Sequence, residues 1–459
     1  MAHDKTSDRK RAMQLVLLAF LVYNANLRAI TSLDTYPARF LPISIIKEFD
    51  LDLDEFEFMR HYPAGWQGDP RGLDHPYYVT PARGHWMSLF PVMPAILSVP
   101  VYVIPVWMGL AEQGESAMGF TRTEIVGTLL AKISASLATA ASLGIVYLTL
   151  LRLTTRRGAF WLALTYGFAT SSWAVSAQGL WQTSMSQPLL ALAFYHLVRA
   201  RQGEPRQAIY AGLPIALAVA CRPVDALFAV VLFAYVVRQH RRQVAAFLVG
   251  PAFVAAWLAW YNLYHFGSLV GGYSGVGGTE RFGWPNLEYL LGLLFSPSRG
   301  ILVLSPVLLF GIWGFAVALR RSRDVLAGHV VVGSLLLLLV YSSWPSWHGD
   351  FSYSYRFLVD LLPGLSLGLG WAWTDIAKRR ATLIAFGAAA TFSVAVQVVG
   401  SFFYPCGWLE TPIQANRHPE RFWDWNDSEP MRCLVNGPVV PDGIRFLQET
   451  TAARSGWTE

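Results

Sequence analysis

Residues 87–110 read MSLFPVMPAILSVPVYVIPVWMGL, and whether this stretch crosses a bilayer decides the topology of everything after it. It is apolar enough to span. Pro91, Pro94, Pro100 and Pro105 interrupt it, and each proline removes a backbone hydrogen bond and kinks a helix. Five basic clusters follow apolar stretches downstream: Arg152, Arg156 and Arg157; Arg199, Arg201 and Arg206; Arg238, Arg241 and Arg242; Arg320, Arg321 and Arg323; and Lys378, Arg379 and Arg380. Short loops of this kind stay on the cytoplasmic side of a membrane. All five share that side with the N terminus only if residues 87–110 do not cross. The stretch is therefore expected to be a broken, interfacial or re-entrant element on the outer side, covered by protein.

Working outward, the 459 residues are 54% hydrophobic and 14% charged, where a soluble chain carries about a quarter charged residues. A span needs about 20 apolar residues. Roughly eleven candidates are present: 12–31, 125–151, 158–176, 180–199, 208–221, 223–237, 244–264, 300–319, 325–344, 357–374 and 381–404. An all-α polytopic membrane protein is expected. The net charge of +6 is spread over the short loops rather than gathered in one patch, which argues against nucleic acid. Lys5, Arg9, Lys10 and Arg11 precede the first apolar stretch, the pattern of a signal peptide. Asn24, Asn26 and Arg28 continue the helical pattern without a small-x-small cleavage site, so the stretch is retained as a span.

The same parity places residues 32–124, 265–299 and the tail 405–459 outside, and makes 1–404 the transmembrane domain. The short stretches 208–221 and 223–237 enclose Cys221-Arg222-Pro223-Val224-Asp225, like the broken helices that line transporter cavities. Cys406 and Cys433 share the tail, where a disulfide suits an oxidising compartment; a coincidental pair is the alternative. The glycine-rich run 267–278 lacks the lysine, hydroxyl and helix of a phosphate loop and reads as a flexible outer loop.

Ionisable groups at membrane depth cost several kcal/mol, roughly, which makes each a functional candidate. Asp34 lies just beyond the first span, a good place for a base that meets a lipid-borne substrate. Arg222 with Asp225 and Arg356 with Asp360 follow, with a local ion pair at turn or helical spacing as the alternative for each. Asp52, Asp54 and Glu55 form either an amphipathic surface or a second acidic site that holds an acceptor or a metal. His348 and Asp350 read as an acid–base pair or as part of an interfacial belt. Trp181 and Gln182, in Gln178-Gly179-Leu180-Trp181-Gln182-Thr183-Ser184, are candidates for lining a carbohydrate pocket.

Taken together, Asp34, the proline-rich segment, Leu180-Trp181-Gln182, Arg222-Pro223, residues 295–300 (FSPSRG), residues 354–363 (SYRFLVDLLP) and Trp423-Asp424-Trp425 resemble the GT-C membrane glycosyltransferases that use polyprenyl-phosphate sugars. The protein O-mannosyltransferases and the lipid A aminoarabinose transferase belong to that superfamily. The resemblance implies a GT-C type fold with outer juxtamembrane helices, in a bacterial-type inner membrane. It also implies inverting hexosyl or pentosyl transfer on the non-cytoplasmic face. The donor would be a polyprenyl-phosphate sugar and the acceptor a glycan, lipid or protein. Asp34 would be the general base, and Arg222, Arg356 and, as a weaker third, Arg299 would hold the donor phosphate. No cofactor is certain, and a divalent metal is possible, with Asp34 and Asp52 or Asp54 as oxygen ligands. A flippase or transporter of a lipid-linked substrate is the main rival, and a non-catalytic glycolipid-binding assembly factor the other.

Overall fold

The computed structural model describes residues 5–61, 74–112, 121–275 and 282–441. Long apolar runs close their backbone hydrogen bonds internally as helices, and these dominate: α1 (Lys5–Asn24), α2 (Tyr36–Lys47), α3 (Met93–Trp107), α4 (Arg122–Leu150), α5 (Arg156–Phe168), α6 (Gln182–Arg201), α7 (Gln207–Cys221), α8 (Ala226–Gln239), α9 (Val244–Phe266), α10 (Leu287–Phe295), α11 (Ile301–Leu304), α12 (Leu308–Arg321), α13 (Val325–Tyr341), α14 (Leu361–Lys378), α15 (Arg380–Phe402) and α16 (Glu429–Asn436). Every one of the eleven apolar stretches carries helix. Among the described residues, three helices are long and apolar enough to cross a membrane: α4, α9 with its preceding turn, and α15.

Three expectations need correction. First, the chain is not purely α. Strands β1 (Val79–Ala82) and β2 (His85–Ser88) form an antiparallel hairpin whose turn residues, Arg83 and Gly84, both have positive φ. Second, α3 is continuous rather than broken. Pro94 falls in its first turn, where a missing N–H costs nothing. Pro100 and Pro105 lie inside a helix whose buried side is pinned to α4, through Tyr102 Oη donating to Gly127 O at 3.1 Å. Ile104 and Trp107 remain exposed. Third, the first helix stops at Asn24, not near residue 31, because the polar residues that follow turn inward. Asn26 Nδ2 donates to Gln178 Oε1 at 2.7 Å and to Ser401 O at 2.9 Å. Lys132 Nζ from α4 donates to Tyr23 O, Ala177 O and Gln178 Oε1 at 2.7–3.0 Å.

That polar knot ties α1, α4, the turn before α6 and α15 together where the chain leaves α1. Close helix contact adds to it: a Cβ on Gly314 would lie 1.7 Å from Gly368 O, so α12 and α14 meet backbone to backbone. A separate apolar core, built on Phe40, Phe56, Tyr78 and Tyr102, lies beneath the segment between α1 and α4. In the tail, Cys406 and Cys433 form a disulfide, and Cys221 is free and buried.

Candidate functional site

Asp34 sits on a 3-10 turn, Leu33–Thr35, at the entry to α2. Ser32 caps the turn, Thr35 Oγ1 donates to Ser32 O at 2.8 Å, and buried Arg39 donates to both Ser32 O and Thr35 Oγ1. A carboxylate on so constrained a turn is aimed by its backbone. Its two oxygens face different partners: Tyr77 Oη donates to Oδ1 at 2.6 Å, and Arg356 Nη1 donates to Oδ2 at 2.7 Å. The ion pair joins residues 322 positions apart and leaves the Asp34 side chain 29% exposed.

Arg356 opens the 3-10 turn Arg356–Leu358 ahead of α14. Its guanidinium lies 4.6 Å from the Trp181 ring centroid and 5.1 Å from that of Phe357. Among the described residues it makes one hydrogen bond, to Asp34, and its buried Nε has no partner. Most of a five-donor fork is unfilled. Phe357 in turn stacks on Tyr341, with centroids 4.7 Å apart and planes 9° apart. Tyr273 closes another side, accepting from Gln182 Nε2 at 3.1 Å and meeting Phe90 edge-on, as Phe90 meets Tyr77.

Arg222 is placed differently. At the end of α7 its extended backbone carries the side chain into a buried cluster, where it pairs with Asp360 and donates to Tyr341 Oη at 2.6 Å and Phe357 O at 3.3 Å. Asp360 also accepts from Ser186 Oγ at 2.7 Å. Neither of the alternative local ion pairs forms. The acid of the second joins the arginine of the first, and Arg356 goes to Asp34.

Several other candidates are corrected. Arg299 is fully buried against the equally buried Glu429, and donates to His348 O at 2.7 Å. Burial pushes the Glu429 carboxyl up while Arg299 draws it down. Arg299 therefore fastens the tail, and its donors are spent. His348 is buried and stacks on Phe422 at 4.2 Å. Burial, with Arg299 and Arg356 nearby, lowers its pKa to about 3. Its Nδ1 accepts from Asp350 N at 3.3 Å, as a neutral ring does, so the 3.5 Å approach to the Asp350 carboxylate is not an ion pair and His348–Asp350 is no acid–base couple. Trp181 has Arg356 on its ring rather than a face open for a sugar.

Asp52 and Asp54 brace the hairpin. Asp54 accepts from Trp86 N at 2.7 Å, and both acids face His85 Nδ1, at 3.2 and 2.8 Å. Glu55 turns to Ser44 and Asp50, where burial raises its pKa. Asp52, Asp54 and His85 each bring one possible metal-ligand atom within 4.8 Å of the others, a grouping that does not include Asp34. A cavity of about 500 Å³ lined by Arg11, Arg156, Arg157 and Trp161 opens at the opposite ends of the helices from Asp34.

Tyr77, Tyr273 and Tyr341 were missed by sequence reasoning. They lie in loops or at a helix end without periodicity, and the one signal was the aromatic density of the outer segments. No protein-family model and no curated protein matches the chain. Similar solved structures include ArnT, the lipid A aminoarabinose transferase, from Cupriavidus metallidurans bound to undecaprenyl phosphate (13% identity over 86% of this chain and 70% of that one, TM-score 0.49). The same enzyme in the apo state gives 13% identity over 92% and 75%, with TM-score 0.44. The archaeal oligosaccharyltransferase AglB from Archaeoglobus fulgidus, in complex with an inhibitory peptide and a dolichol-phosphate, gives 12% over 90% and 59%, with TM-score 0.42. Both proteins are GT-C superfamily members.

Proposed function

We propose that this chain is an inverting GT-C glycosyltransferase moving a sugar from a polyprenyl phosphate to an acceptor hydroxyl on the non-cytoplasmic face of a bacterial-type inner membrane. The observation that carries the reading is the Arg356–Asp34 contact, in which a cation with an unfilled fork meets a constrained carboxylate beside a wall of aromatic rings. Asp34 takes the acceptor proton as the acceptor oxygen bonds to the sugar C1. The C1–O bond breaks with its electron pair on the phosphate oxygen, and Arg356 neutralises that charge. An arginine fork suits two phosphate oxygens as a point-charge lysine does not. Arg222, already committed to Asp360, donates to Tyr341 Oη and Phe357 O and so holds the Tyr341–Phe357 wall in place.

Tyr77 orients the base. Burial and the Asp34 carboxylate raise its phenol pKa well above the ordinary value, which keeps it a donor at every physiological pH. General-base help is worth about 10²–10⁴ in rate. Purified Asp34→Asn, supplied with a matched polyprenyl-phosphate sugar and acceptor, is expected to lose at least about 10²-fold in kcat. Full turnover by that variant removes the base and the reading with it.

A further inference from the structure

If the donor phosphate docks on Arg356, as just proposed, Arg356 cannot serve it and Asp34 in the same way at once. Tyr77 donates to one Asp34 oxygen and Arg356 to the other, so an acceptor hydroxyl that approaches Oδ2 shares that oxygen with the guanidinium for as long as Arg356 holds it. The setting of Arg356 favours a change of partner. Its position is fixed by Trp181 and Phe357, contacts that depend on the guanidinium lying over a ring and not on which acceptor its edge meets. Its Nε is buried and unpartnered, a desolvated donor that an incoming anion would satisfy. Arg222 and Arg299 have no such freedom, since each is bound to a carboxylate and to further acceptors. Tyr77, on the other Asp34 oxygen, would keep the carboxylate aimed after Arg356 leaves.

We propose that Arg356 is exchanged between Asp34 in the donor-free protein and the lipid phosphate in the loaded one, so that donor docking itself releases the base. The protein then binds donor first and acceptor second. Deprotonation of an acceptor, or of water, is suppressed until a lipid phosphate is in place. The Asp34–Arg356 pair taxes donor affinity, because an anion binds only the fraction of molecules whose arginine is free.

The exchange is read by undecaprenyl monophosphate binding to the full chain in detergent, for wild type, Asp34→Asn, Arg356→Ala and the double variant. With about nine-tenths of the arginine held by Asp34, Asp34→Asn is expected to bind about tenfold more tightly than wild type. That gain should vanish in the Arg356→Ala background. Unchanged or weaker binding by Asp34→Asn, with wild type binding and Arg356→Ala impaired, overturns the exchange and leaves the donor site standing. A tightening that persists without Arg356 also overturns it, since simple charge repulsion would then explain the effect. Failure of wild type to bind the lipid phosphate overturns the donor reading and the exchange together. Tyr77→Phe provides a variant with little risk to folding: under the exchange it lowers kcat and leaves lipid-phosphate affinity within about twofold of wild type, because Tyr77 touches the base and not the anion. An equal loss in both contradicts the division of roles.

Discussion

Arg356→Lys keeps the charge beside Asp34 and removes the planar fork, so it separates attraction from geometry. A lysine point charge still reaches the carboxylate but offers no paired donors to a phosphate and stacks poorly on Trp181. Lipid-phosphate affinity should fall by about tenfold or more, the scale of one charge-assisted hydrogen bond, in a titration with undecaprenyl monophosphate; an unchanged affinity would place the phosphate elsewhere. His348 supplies a prediction in pH. Its folded pKa of about 3 lies below the ordinary 6.5, so the stability contributed by the neutral buried ring is complete above about 6.5 and is lost as pH falls from there toward 3. The midpoint of thermal unfolding should drop between pH 7 and 5, and less so in His348→Gln. At this scale the sequence was half legible. Asp34 and Arg356 were marked by charge in an apolar setting, but the spacing of Arg356 and Asp360 left a local ion pair open as the alternative. The helix begins only at Leu361, after a 3-10 turn, and the two side chains point to different neighbours.

Elements explain why some signals misled. The proline-rich apolar stretch left a broken, an interfacial and a re-entrant element open, and α3 is continuous from Met93 to Trp107, packed on one side against α4. The α12–α14 crossing rests on Gly311, Gly314 and Gly368, where backbones touch and no side chain fits. Gly314→Val should force these helices apart and cost about 1–3 kcal/mol, as overpacking does, seen as a lower unfolding midpoint in detergent. Nothing in a single sequence sets these glycines apart from the other 35 of 38. Arg299 and Glu429 join α10 and its following turn to α16. Glu429→Gln leaves a buried guanidinium uncompensated and should destabilise the tail by about 3–5 kcal/mol, measurable as faster hydrogen exchange across residues 405–436. Unaltered exchange would mean the pair is not buried in solution.

Across the whole molecule, charge sorted the ends. The basic clusters lie at one set of helix ends, while Asp34, Trp181, Arg222 and Arg356 lie at the other, so a topology drawn from loops and prolines brought the right segments to one side. It could not show which arginine is spent and which is free, because that depends on partners brought from more than a hundred residues away: Asp360 for Arg222, Glu429 for Arg299, Asp34 for Arg356. The account stands on Arg356 being the one with donors to spare. A density map of the protein with undecaprenyl monophosphate bound tests this most directly. The phosphate should lie in ion-pair contact with the Arg356 guanidinium, with Asp34 beside it and open to an acceptor. A phosphate seated at the basic ends of the helices, or one that leaves Arg356 untouched on Asp34, would contradict it.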